Sequence, residues 1–492
     1  MKNIFKRKTK IICSIGPACS NEKIIEQLIL EGMNIARFNF SHGTHESHKK
    51  NMDMVKRISE KTNKNVALLL DTKGPEIRTG QTLNDENVLI KTGDTVLVST
   101  DDCFTTACTD TEPARISVTW KDFPLKASKG IHVLIADGLL DLEVTEIMDC
   151  VVKCVAQNSA AIGSRKNVNL IGLHPMLPII NEKDKEDLIF AKEQEVDFIA
   201  ASFVSFASEV QEIRNFLDSI NSHAKIIAKI ENEEGVKNIE EITAAADGIM
   251  IARGDLGVQL PTEQIPLIQK HIIFVCRRLG KPVITATQML ESMTKNPRPT
   301  RAELTDVANA IFDGTDAVML SGETANGLYP VEAVKTMAKI AITVEDSKEY
   351  CKKMSRNCLD IEVDSKEIPL VMAQNAYNIA KDIQATVIIA PTLSGHTAQM
   401  ISRFRPIQPI VAITPNPAVS RQLLLYWGVV PLQSKVVETY DEMIHNAIKK
   451  VLDTEIINLD DVIVITAGIP ILSPSRLNAI RVLYAYEGIQ KN

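Results

Sequence analysis

The chain has 492 residues, of which 45% are hydrophobic and 24% are charged, and its formal net charge at pH 7 is −7. A chain of this length is too long to fold around a single hydrophobic core, so an ordinary globular protein of roughly three domains is predicted. The interspersed charges argue against nucleic-acid binding, no apolar run reaches the about 20 residues of a membrane span, and the nine cysteines lack CxxC or zinc-like spacing.

Strand and helix signals alternate from the N-terminus onward. The first ten residues are basic but lack the apolar core of a signal peptide, which predicts a cytoplasmic protein. Short apolar runs, separated by amphipathic stretches, follow at 9–16, 34–40, 65–71, 196–204, 224–231, 247–255, 282–288 and 316–323. Eight parallel strands with intervening helices are what a closed (β/α)₈ barrel requires, so a TIM barrel is predicted.

One connection between these runs is too long for a loop. Roughly 120 residues separate Asp71 from Val196, and they contain alternating, β-branched runs with Gly, Asn and Asp turns. A small β-rich domain is therefore predicted over 73–172, inserted into a catalytic barrel made of 1–72 and 173–349. The polar segment 350–368 is interpreted as an irregular connection, and the alternating signals after it predict a doubly wound α/β domain within 350–492.

Polar residues end the predicted barrel strands, where the loops form the mouth of a barrel. Lys229 and Glu231 are two residues apart, so they should project to the same face of their strand. Glu231 and Asp255 end adjacent strands, and such paired carboxylates suit Mg²⁺ or Mn²⁺. The alternative, in which each carboxylate is satisfied by a helix N-terminus, stays open. Further candidates are Arg37, Asn39, Ser41, Asp71, Thr72, Ser202, Thr287, Ser321 and Glu323.

Two loops have the composition of anion sites. In RGDLG, Gly254 and Asp255 begin the connection after a strand, where a following helix would present N–H groups to a carboxylate or phosphate. The segment APTLSGHTAQ lies between a strand and a helix and is a possible phosphate cradle, with Thr392, Ser394, Gly395 and Thr397 as candidates. A plain capped helix is the alternative for the second loop.

Seven segments carry a family resemblance: MNIARFNFSHGTH, LLDTKGPEIRTG, AKIENEEG, IARGDLGV, TATQMLESM, PRPTRAELTDVANAIFDGTDAVMLSGETA and GLYPVEAV. They resemble, in order and spacing, the signature segments of pyruvate kinases. The resemblance implies a barrel, a lid and a C-terminal regulatory domain. It also implies phosphoryl transfer from phosphoenolpyruvate to ADP in a homotetramer, with a sugar-phosphate or nucleotide effector at the APTLSGHTAQ and TAGIPILSPS loops.

The resemblance further implies roles at the metal and substrate sites. Glu231 and Asp255 would hold Mg²⁺ or Mn²⁺, and the backbone around Gly254 and Asp255, with Thr287, would bind the phosphoenolpyruvate carboxylate. Lys229 would stabilise the phosphoryl group in flight, whose transfer depends on positioning and charge neutralisation. Thr287 and Ser321 are the candidates for relaying a proton to the enolate.

By the same resemblance, Arg37 would bind the substrate phosphate. Arg78, Lys166 and Asn39 would contact the nucleotide. A K⁺ site is implied by the oxygen ligands Asn39, Ser41, Asp71 and the carbonyl of Thr72. The resemblance also predicts dependence on K⁺. Family members that do not need K⁺ resemble proteins with a lysine at this position, whereas this chain has Glu76.

Some residues depart from the family pattern or are given structural interpretations. Ala136 replaces the first aspartate of a segment that relatives commonly write VDDG, and Asn167 and His174 are also unusual, which puts details of lid closure in doubt. His42 and His45 are interpreted as loop histidines. Ser202 is not expected to be catalytic, and Phe203 is expected to shape the pocket.

Two other functions compete with an active kinase. A pseudoenzyme that senses metabolites through its C-terminal domain is supported only by the altered lid. A metal-dependent lyase could use the same two carboxylates, but it would need no nucleotide lid, K⁺ site or C-terminal domain.

Overall fold

The structure is a computed structural model that describes residues 5–173, 175, 177–357, 361, 366–470 and 477–489. The chain begins with β1 (Lys10–Ser14), α1 (Glu22–Glu31), β2 (Ile35–Asn39), α2 (His45–Thr62) and β3 (Ala67–Asp71). Capping side chains start both helices, because Asn21 accepts from the N–H of Lys23 and Thr44 accepts from that of Ser47. Strand β2 pairs in parallel with both β1 and β3, so the strand ends meet at one edge.

A β-rich unit follows β3, and we refer to residues 73–172 as the lid. Its elements are β4 (Ile77–Arg78), β5 (Val88–Ile90), β6 (Thr95–Ser99), β7 (Ala114–Ser117), α3 (Phe123–Lys126), β8 (His132–Ile135), β9 (Leu140–Met148), β10 (Val151–Ala156), β11 (Ala160–Ile162) and β12 (Asn167–Ile171). Seven strands form a sheet in the order β4-β12-β8-β9-β10-β6-β7, and β11 pairs with β5. Alternate residues of β10 are buried, namely Val152, Cys154 and Ala156, as expected for a sheet with one covered face.

The chain then completes the barrel. The elements are α4 (Glu182–Glu193), β13 (Phe198–Ala201), α5 (Ala207–Ser219), β14 (Lys225–Ile230), α6 (Glu233–Lys237), α7 (Ile239–Ala245), β15 (Gly248–Ala252), α8 (Arg253–Gln259), α9 (Ile265–Leu279), β16 (Val283–Ala286), α10 (Arg301–Asp313), β17 (Ala317–Leu320), α11 (Gly322–Ala325) and α12 (Pro330–Glu345). The barrel closes in the order β1-β17-β16-β15-β14-β13-β3-β2, and each predicted apolar run contains one of these strands. The predicted (β/α)₈ barrel is confirmed.

Side chains along β14 alternate between the barrel interior and the layer of helices. Ile227 packs with Ile12 and Met250 inside the barrel, whereas Ile226 and Ile230 belong to the core between the strands and the helices. Lys229 shares the parity of Ile227, so it projects into the barrel near its mouth. The period-two argument therefore holds for this strand.

The C-terminal part contains α13 (Lys348–Asn357), α14 (Ile368–Asp382), β18 (Val387–Pro391), α15 (His396–Ser402), β19 (Ile410–Thr414), α16 (Pro417–Gln422), β20 (Val429–Gln433), α17 (Tyr440–Leu452), β21 (Val462–Ala467) and β22 (Ala479–Tyr484). The sheet order is β20-β19-β18-β21-β22, with β22 antiparallel to β21. Successive residues of β18, Ile388 and Ile389, pack into separate cores on the two faces. The doubly wound α/β fold is confirmed, with an antiparallel edge strand that was not predicted.

The predicted irregular connection over 350–368 is wrong at its start, where α13 occupies 348–357. The helix carries few apolar residues, but Tyr350 and Met354 lie one turn apart and are both 3% exposed. Among the described residues, no helix is both long enough and apolar enough to cross a bilayer. Short 3₁₀ turns lie at Pro17–Cys19, Leu83–Asp85, Thr262–Gln264, Glu291–Thr294, Leu423–Leu425 and Ala485–Gly488.

Candidate active site

Lys229 lies at the centre of a buried polar cluster at the mouth of the barrel. Its Nζ is 3.0 Å from Asp71 Oδ1, 2.9 Å from Glu231 Oε1 and 2.7 Å from Ser202 Oγ. Burial alone would lower the pKa of this ammonium, but the carboxylates of Asp71 and Glu231 outweigh burial and raise it. Lys229 is therefore a permanently charged group held in one position.

Arg37 shares the carboxylate of Asp71 with that lysine. Its Nε donates to Asp71 Oδ2 over 2.7 Å, and its Nη1 donates to Ser14 Oγ over 2.7 Å. Burial would raise the pKa of Asp71, but Lys229 and Arg37 together lower it below the ordinary value. One ionised carboxylate thus holds two cations side by side.

Glu231 is buried and Asp255 is half-buried, and the two carboxylates form a pair. Burial raises the pKa of both; the charge of Asp255 raises that of Glu231 further, whereas a hydrogen bond with Glu231 opposes the rise at Asp255. Glu231 Oε2 accepts from Phe203 N over 2.7 Å, and its Oε1 contacts Lys229 Nζ, so its oxygens are not satisfied by the following helix. The helix-cap alternative therefore fails for Glu231. Adjacent hard oxygen donors in a buried site fit a divalent cation.

Thr287 and Gly254 are brought together from two neighbouring loops. Gly254 N donates to Thr287 Oγ1 over 2.8 Å, and Thr287 Oγ1 donates to Ala286 O over 2.7 Å. The φ of Thr287 is 68°, a left-handed conformation that a β-branched residue rarely adopts. Such strain needs support from the surrounding structure and is typical of functional sites.

The four oxygen donors of the predicted K⁺ site lie at the ends of β2 and β3. Asn39 pairs in register with Asp71, and Ser41 N donates to Asn39 Oδ1 over 3.0 Å. Thr72 O accepts from Ser202 Oγ over 2.7 Å. The donor set is hard oxygen with one carboxylate, which fits a monovalent cation.

A cavity of about 590 Å³ separates the barrel mouth from the lid. The predicted residues that line it are Asn39, Ser41, Glu76, Arg78, Lys166, Asn167, Phe203 and Asp255. Arg78 Nε donates to Glu76 Oε2 over 2.7 Å, and Arg78 Nη1 donates to Arg165 O over 2.8 Å. The cavity therefore joins Asp255 to the predicted nucleotide contacts.

The altered lid turn faces this cavity. Ala136, Asp137 and Gly138 have φ values of 55°, 57° and 82°. Alanine lacks the side-chain hydrogen bond with which aspartate eases this conformation, but Asn167 supports the turn: its Nδ2 donates to Asp137 Oδ1 over 2.5 Å and its Oδ1 accepts from Asp137 N over 3.1 Å. His174 lies outside the described residues.

Ser202 and Ser14 are contact residues whose importance the sequence did not reveal. Ser202 was not expected to take part, yet it contacts Lys229 and also donates to the carbonyl of Thr72. Its position at the end of a predicted barrel strand was the available signal. Ser14 also ends a barrel strand, but a small hydroxyl in the run IICSIG gives no sign of its partner.

His42 lies in the loop between β2 and α2, but the interpretation of His45 as a loop histidine is wrong, because His45 is the first residue of α2. His45 Nε2 is 2.5 Å from Asp187 Oδ1, and its ring stacks on Phe190 with centroids 4.5 Å apart. His42 lines the cavity, and its carbonyl contacts His48 Nε2 at 2.8 Å.

The C-terminal candidate loop has a compact turn. Thr392 Oγ1 accepts from Gly395 N over 2.9 Å, and the φ of Gly395 is 88°. Thr397 is buried and Ser394 is exposed. Residues 471–475 of the second predicted effector loop lie outside the described part of the chain. Effector binding at these loops stays a prediction.

Gly74, near the start of the lid between β3 and β4, packs directly on the site. Its φ is 70°, and a Cβ there would lie 2.8 Å from Ser202 Cβ. We expect Gly74→Ala to lower the free energy of unfolding by about 1–3 kcal/mol, because it adds a clash to a strained backbone. Urea unfolding measures this change. Gly93→Ala is the matched control, since its φ is 87° but no atom lies within 4 Å; equal losses would contradict the clash.

Comparisons with known proteins agree with one another. Residues 6–334 match the family model "Pyruvate kinase, barrel domain", and residues 371–483 match "Pyruvate kinase, alpha/beta domain". The chain is 46% identical over 481 residues to the pyruvate kinase of Geobacillus stearothermophilus, covering 97% of this chain and 80% of that protein. It is 46% identical over 467 residues to that of Staphylococcus aureus (strain MRSA252), covering 94% and 78%. A crystal structure of a pyruvate kinase from Cryptosporidium parvum matches with a TM-score of 0.92 and 40% identity, covering 98% of this chain and 97% of that one.

Proposed function

The chain belongs to the pyruvate kinase family, and from this premise we propose that it transfers the phosphoryl group of phosphoenolpyruvate to ADP, giving pyruvate and ATP. The observation that carries the proposal is the cluster in which Asp71 holds Arg37 at 2.7 Å and Lys229 at 3.0 Å. Phosphoryl transfer asks the protein to position two anions and to neutralise the charge on the moving group. Two preorganised cations at the barrel mouth suit that task.

Lys229 and Arg37 have separate roles in this proposal. Arg37 binds the phosphate of phosphoenolpyruvate, because a guanidinium presents several donors in one plane. Lys229 meets the phosphoryl group during transfer, and its three present partners include the neutral hydroxyl of Ser202 at 2.7 Å. That hydroxyl is the partner most easily exchanged for a phosphoryl oxygen, since the other two are carboxylates.

Glu231 and Asp255 are proposed to hold Mg²⁺ or Mn²⁺. Among the described residues, no group of three or more His, Cys, Asp and Glu side chains could hold a metal, so further ligands would come from substrate and water. When bound, the ion neutralises phosphate charge and orients the transferring group. Phe203 N, which donates to Glu231 Oε2 over 2.7 Å, restricts the orientation of that carboxylate.

Gly254, Asp255 and Thr287 are proposed to bind the carboxylate of phosphoenolpyruvate. The backbone at the start of α8 and the hydroxyl of Thr287 lie together, as the 2.8 Å bond from Gly254 N to Thr287 Oγ1 requires. The enolate left after transfer needs a proton at carbon. Ser321 Oγ is buried and has no hydrogen-bond partner among the described residues, and Ser321 and Thr287 are the candidates for relaying this proton.

Arg78, Lys166 and Asn39 are proposed to contact ADP. All three line the cavity beneath the lid. Lid residue Asn169 lies near α8 of the barrel, with its Oδ1 3.5 Å from Gln259 Nε2. A lid that closes over the nucleotide excludes water from the transfer step.

A requirement for K⁺ is proposed at Asn39, Ser41, Asp71 and Thr72. Replacement of K⁺ by tetramethylammonium is expected to lower turnover at least about 10-fold, because a cation beside the transferred phosphoryl group stabilises its charge. Glu76→Lys should retain more activity without K⁺, since the new ammonium supplies a positive charge at the same cavity. Steady-state rates over a K⁺ titration measure both effects.

The control for this titration is Glu86→Lys. Glu86 is exposed in the lid and does not line the cavity, so the same charge change there should leave the K⁺ requirement unaltered. Full wild-type activity without K⁺ would contradict the site.

The direct test of the function is a coupled assay for pyruvate with phosphoenolpyruvate, ADP, Mg²⁺ and K⁺. Binding of phosphate esters without turnover would favour the pseudoenzyme, and product formation without ADP would favour the lyase. The lid and the C-terminal domain argue against the lyase, which needs neither.

We further propose a homotetramer that works in the cytoplasm and responds to a sugar phosphate or nucleotide at Thr392, Ser394, Gly395 and Thr397. We also propose the domain boundaries 1–72 with 173–349, 73–172, and 350–492. A thermal-shift and activity screen with sugar phosphates, AMP and ATP tests the effector.

A further inference from the structure

Arg253 is a buried cation that the proposed mechanism does not use. It is the first residue of α8 and is 8% exposed. Its guanidinium lies beneath the loop that follows β16, which begins with Thr287. Burying a guanidinium costs desolvation free energy, and several hydrogen bonds are needed to offset that cost. The partners of Arg253 therefore indicate what it does.

The guanidinium contacts the carbonyls of three consecutive residues, the last of β16 and the first two of the loop. Nε donates to Ala286 O over 3.3 Å, and Nη2 lies 2.7 Å from Thr287 O and 3.3 Å from Gln288 O. Nη2 is also 2.8 Å from Met289 Sδ. One planar group therefore fixes the direction of each peptide through the loop.

The clamped loop is strained at two successive residues. Thr287 and Gln288 have φ values of 68° and 52°, and neither is glycine. Such a conformation is strained and persists only where the surrounding structure determines it. The other end of the loop is also held, because Leu290 N donates to Glu323 Oε1 over 3.0 Å.

Two further side chains hold the clamp itself. Asp306 of α10 pairs with Arg253 Nη1 at 2.8 Å, and Gln269 of α9 accepts from the same nitrogen over 3.3 Å. Asp306 is 39% exposed, whereas Gln269 is buried. The guanidinium is thus oriented from the helix layer and directed toward the loop.

We propose that Arg253 is a positioning residue for the binding of the substrate carboxylate. It holds Thr287 in the left-handed conformation that brings Thr287 Oγ1 next to Gly254 N. Arg253 and Gly254 are consecutive, so the same turn of α8 sets both halves of the carboxylate cradle. The inference rests on the proposed function, because it assigns Thr287 and Gly254 to phosphoenolpyruvate.

The test compares Arg253→Lys with Asp306→Asn and with a control. Lysine keeps the positive charge opposite Asp306, but it has one donor nitrogen where the guanidinium has three. It therefore cannot donate to all three carbonyls. We expect kcat/KM for phosphoenolpyruvate to fall about 10²-fold, as for a misplaced reacting group, while KM for ADP changes less than about 2-fold. Asp306→Asn is isosteric and partly exposed, so it should fold and show a smaller change in the same direction.

Arg214→Lys is the matched control. Arg214 also joins a carboxylate, Asp247 at 2.8 Å, to a backbone carbonyl, Ala245 O at 3.3 Å, but on the outside of the barrel. Its loss should lower thermal stability without changing phosphoenolpyruvate affinity.

Two measurements separate positioning from general damage. Calorimetric titration with phosphoenolpyruvate, without ADP and with Mg²⁺ and K⁺ present, should show weaker binding to Arg253→Lys. Hydrogen exchange should show faster exchange of the 286–290 amides in that variant. Unchanged phosphoenolpyruvate affinity, or equal weakening of phosphoenolpyruvate and ADP, would overturn the inference.

If Arg253→Lys does not fold, Asp306→Asn decides by the same readouts, and an unchanged phosphoenolpyruvate affinity there overturns the inference. A wild-type protein that binds no phosphoenolpyruvate overturns the proposed function itself. Those failures are distinguishable, because the wild-type titration does not depend on any variant.

Discussion

Lys229→Met is expected to lower turnover by at least about 10²-fold, the scale for losing one preorganised charge-stabilising donor. Methionine has nearly the same length but cannot neutralise a phosphoryl group in flight. Divalent-cation binding should persist or tighten, because Glu231 loses the ammonium that lies 2.9 Å from Oε1. Steady-state kinetics measure the first effect, and electron paramagnetic resonance with Mn²⁺ measures the second.

Lys225→Met provides the control for this variant. Lys225 lies on the same strand and has the same parity, but it is 43% exposed and pairs with Asp247 at 3.4 Å. Its replacement should leave kcat within about 2-fold, because exposed pairs contribute little. Unchanged turnover of Lys229→Met would remove the lysine from the mechanism, whereas lost Mn²⁺ binding would assign it to the metal site.

Glu231→Gln is expected to lower turnover at least about 10²-fold by weakening the proposed Mg²⁺ site. The amide is isosteric, and its oxygen can still accept from Phe203 N. Thermal stability should be unchanged or slightly increased, because burial already disfavours the charged form of this carboxyl, whose pKa is raised. Mn²⁺ titration and thermal unfolding distinguish a lost metal ligand from a damaged fold.

The control is Glu240→Gln on α7. Glu240 is 61% exposed, pairs with Arg278 at 2.7 Å and does not line the cavity, so neither the rate nor Mn²⁺ affinity should change. Full Mn²⁺ affinity in Glu231→Gln would contradict its assignment as a ligand.

The sequence predicted the barrel because its pattern is local and repeated. Each of the eight strands lies within one predicted apolar run, and the long interval between the third and fourth runs is where the structure has the strands β4 to β12. Parity within one strand also placed Lys229 and Glu231 together without any knowledge of the neighbouring strands. The interpretation of 350–368 was wrong because two buried residues, Tyr350 and Met354, give too weak a periodic signal in a polar helix.

Contacts between strand ends could not be predicted in this way. Asp71 is separated from Lys229 by 158 positions, and only barrel closure places its Oδ1 3.0 Å from the ammonium. Ser202 gave no sign of its bonds to Lys229 and the carbonyl of Thr72, because a serine at a strand end is compatible with packing or with function.

The sequence by itself determined the order of the elements, the face on which Lys229 and Glu231 lie, and the residues available at the barrel mouth. Only the tertiary structure decided their charges and partners. Lys229 and Arg37, from two other strands, lower the pKa of Asp71, whereas burial in the folded protein raises those of Glu231 and Asp255. Side-chain parity is a property of the local backbone, whereas desolvation and Coulomb interactions depend on groups that are distant in the chain. The strained loop held by Arg253 also depends on the tertiary structure, because its support comes from α8, α9 and α10 together.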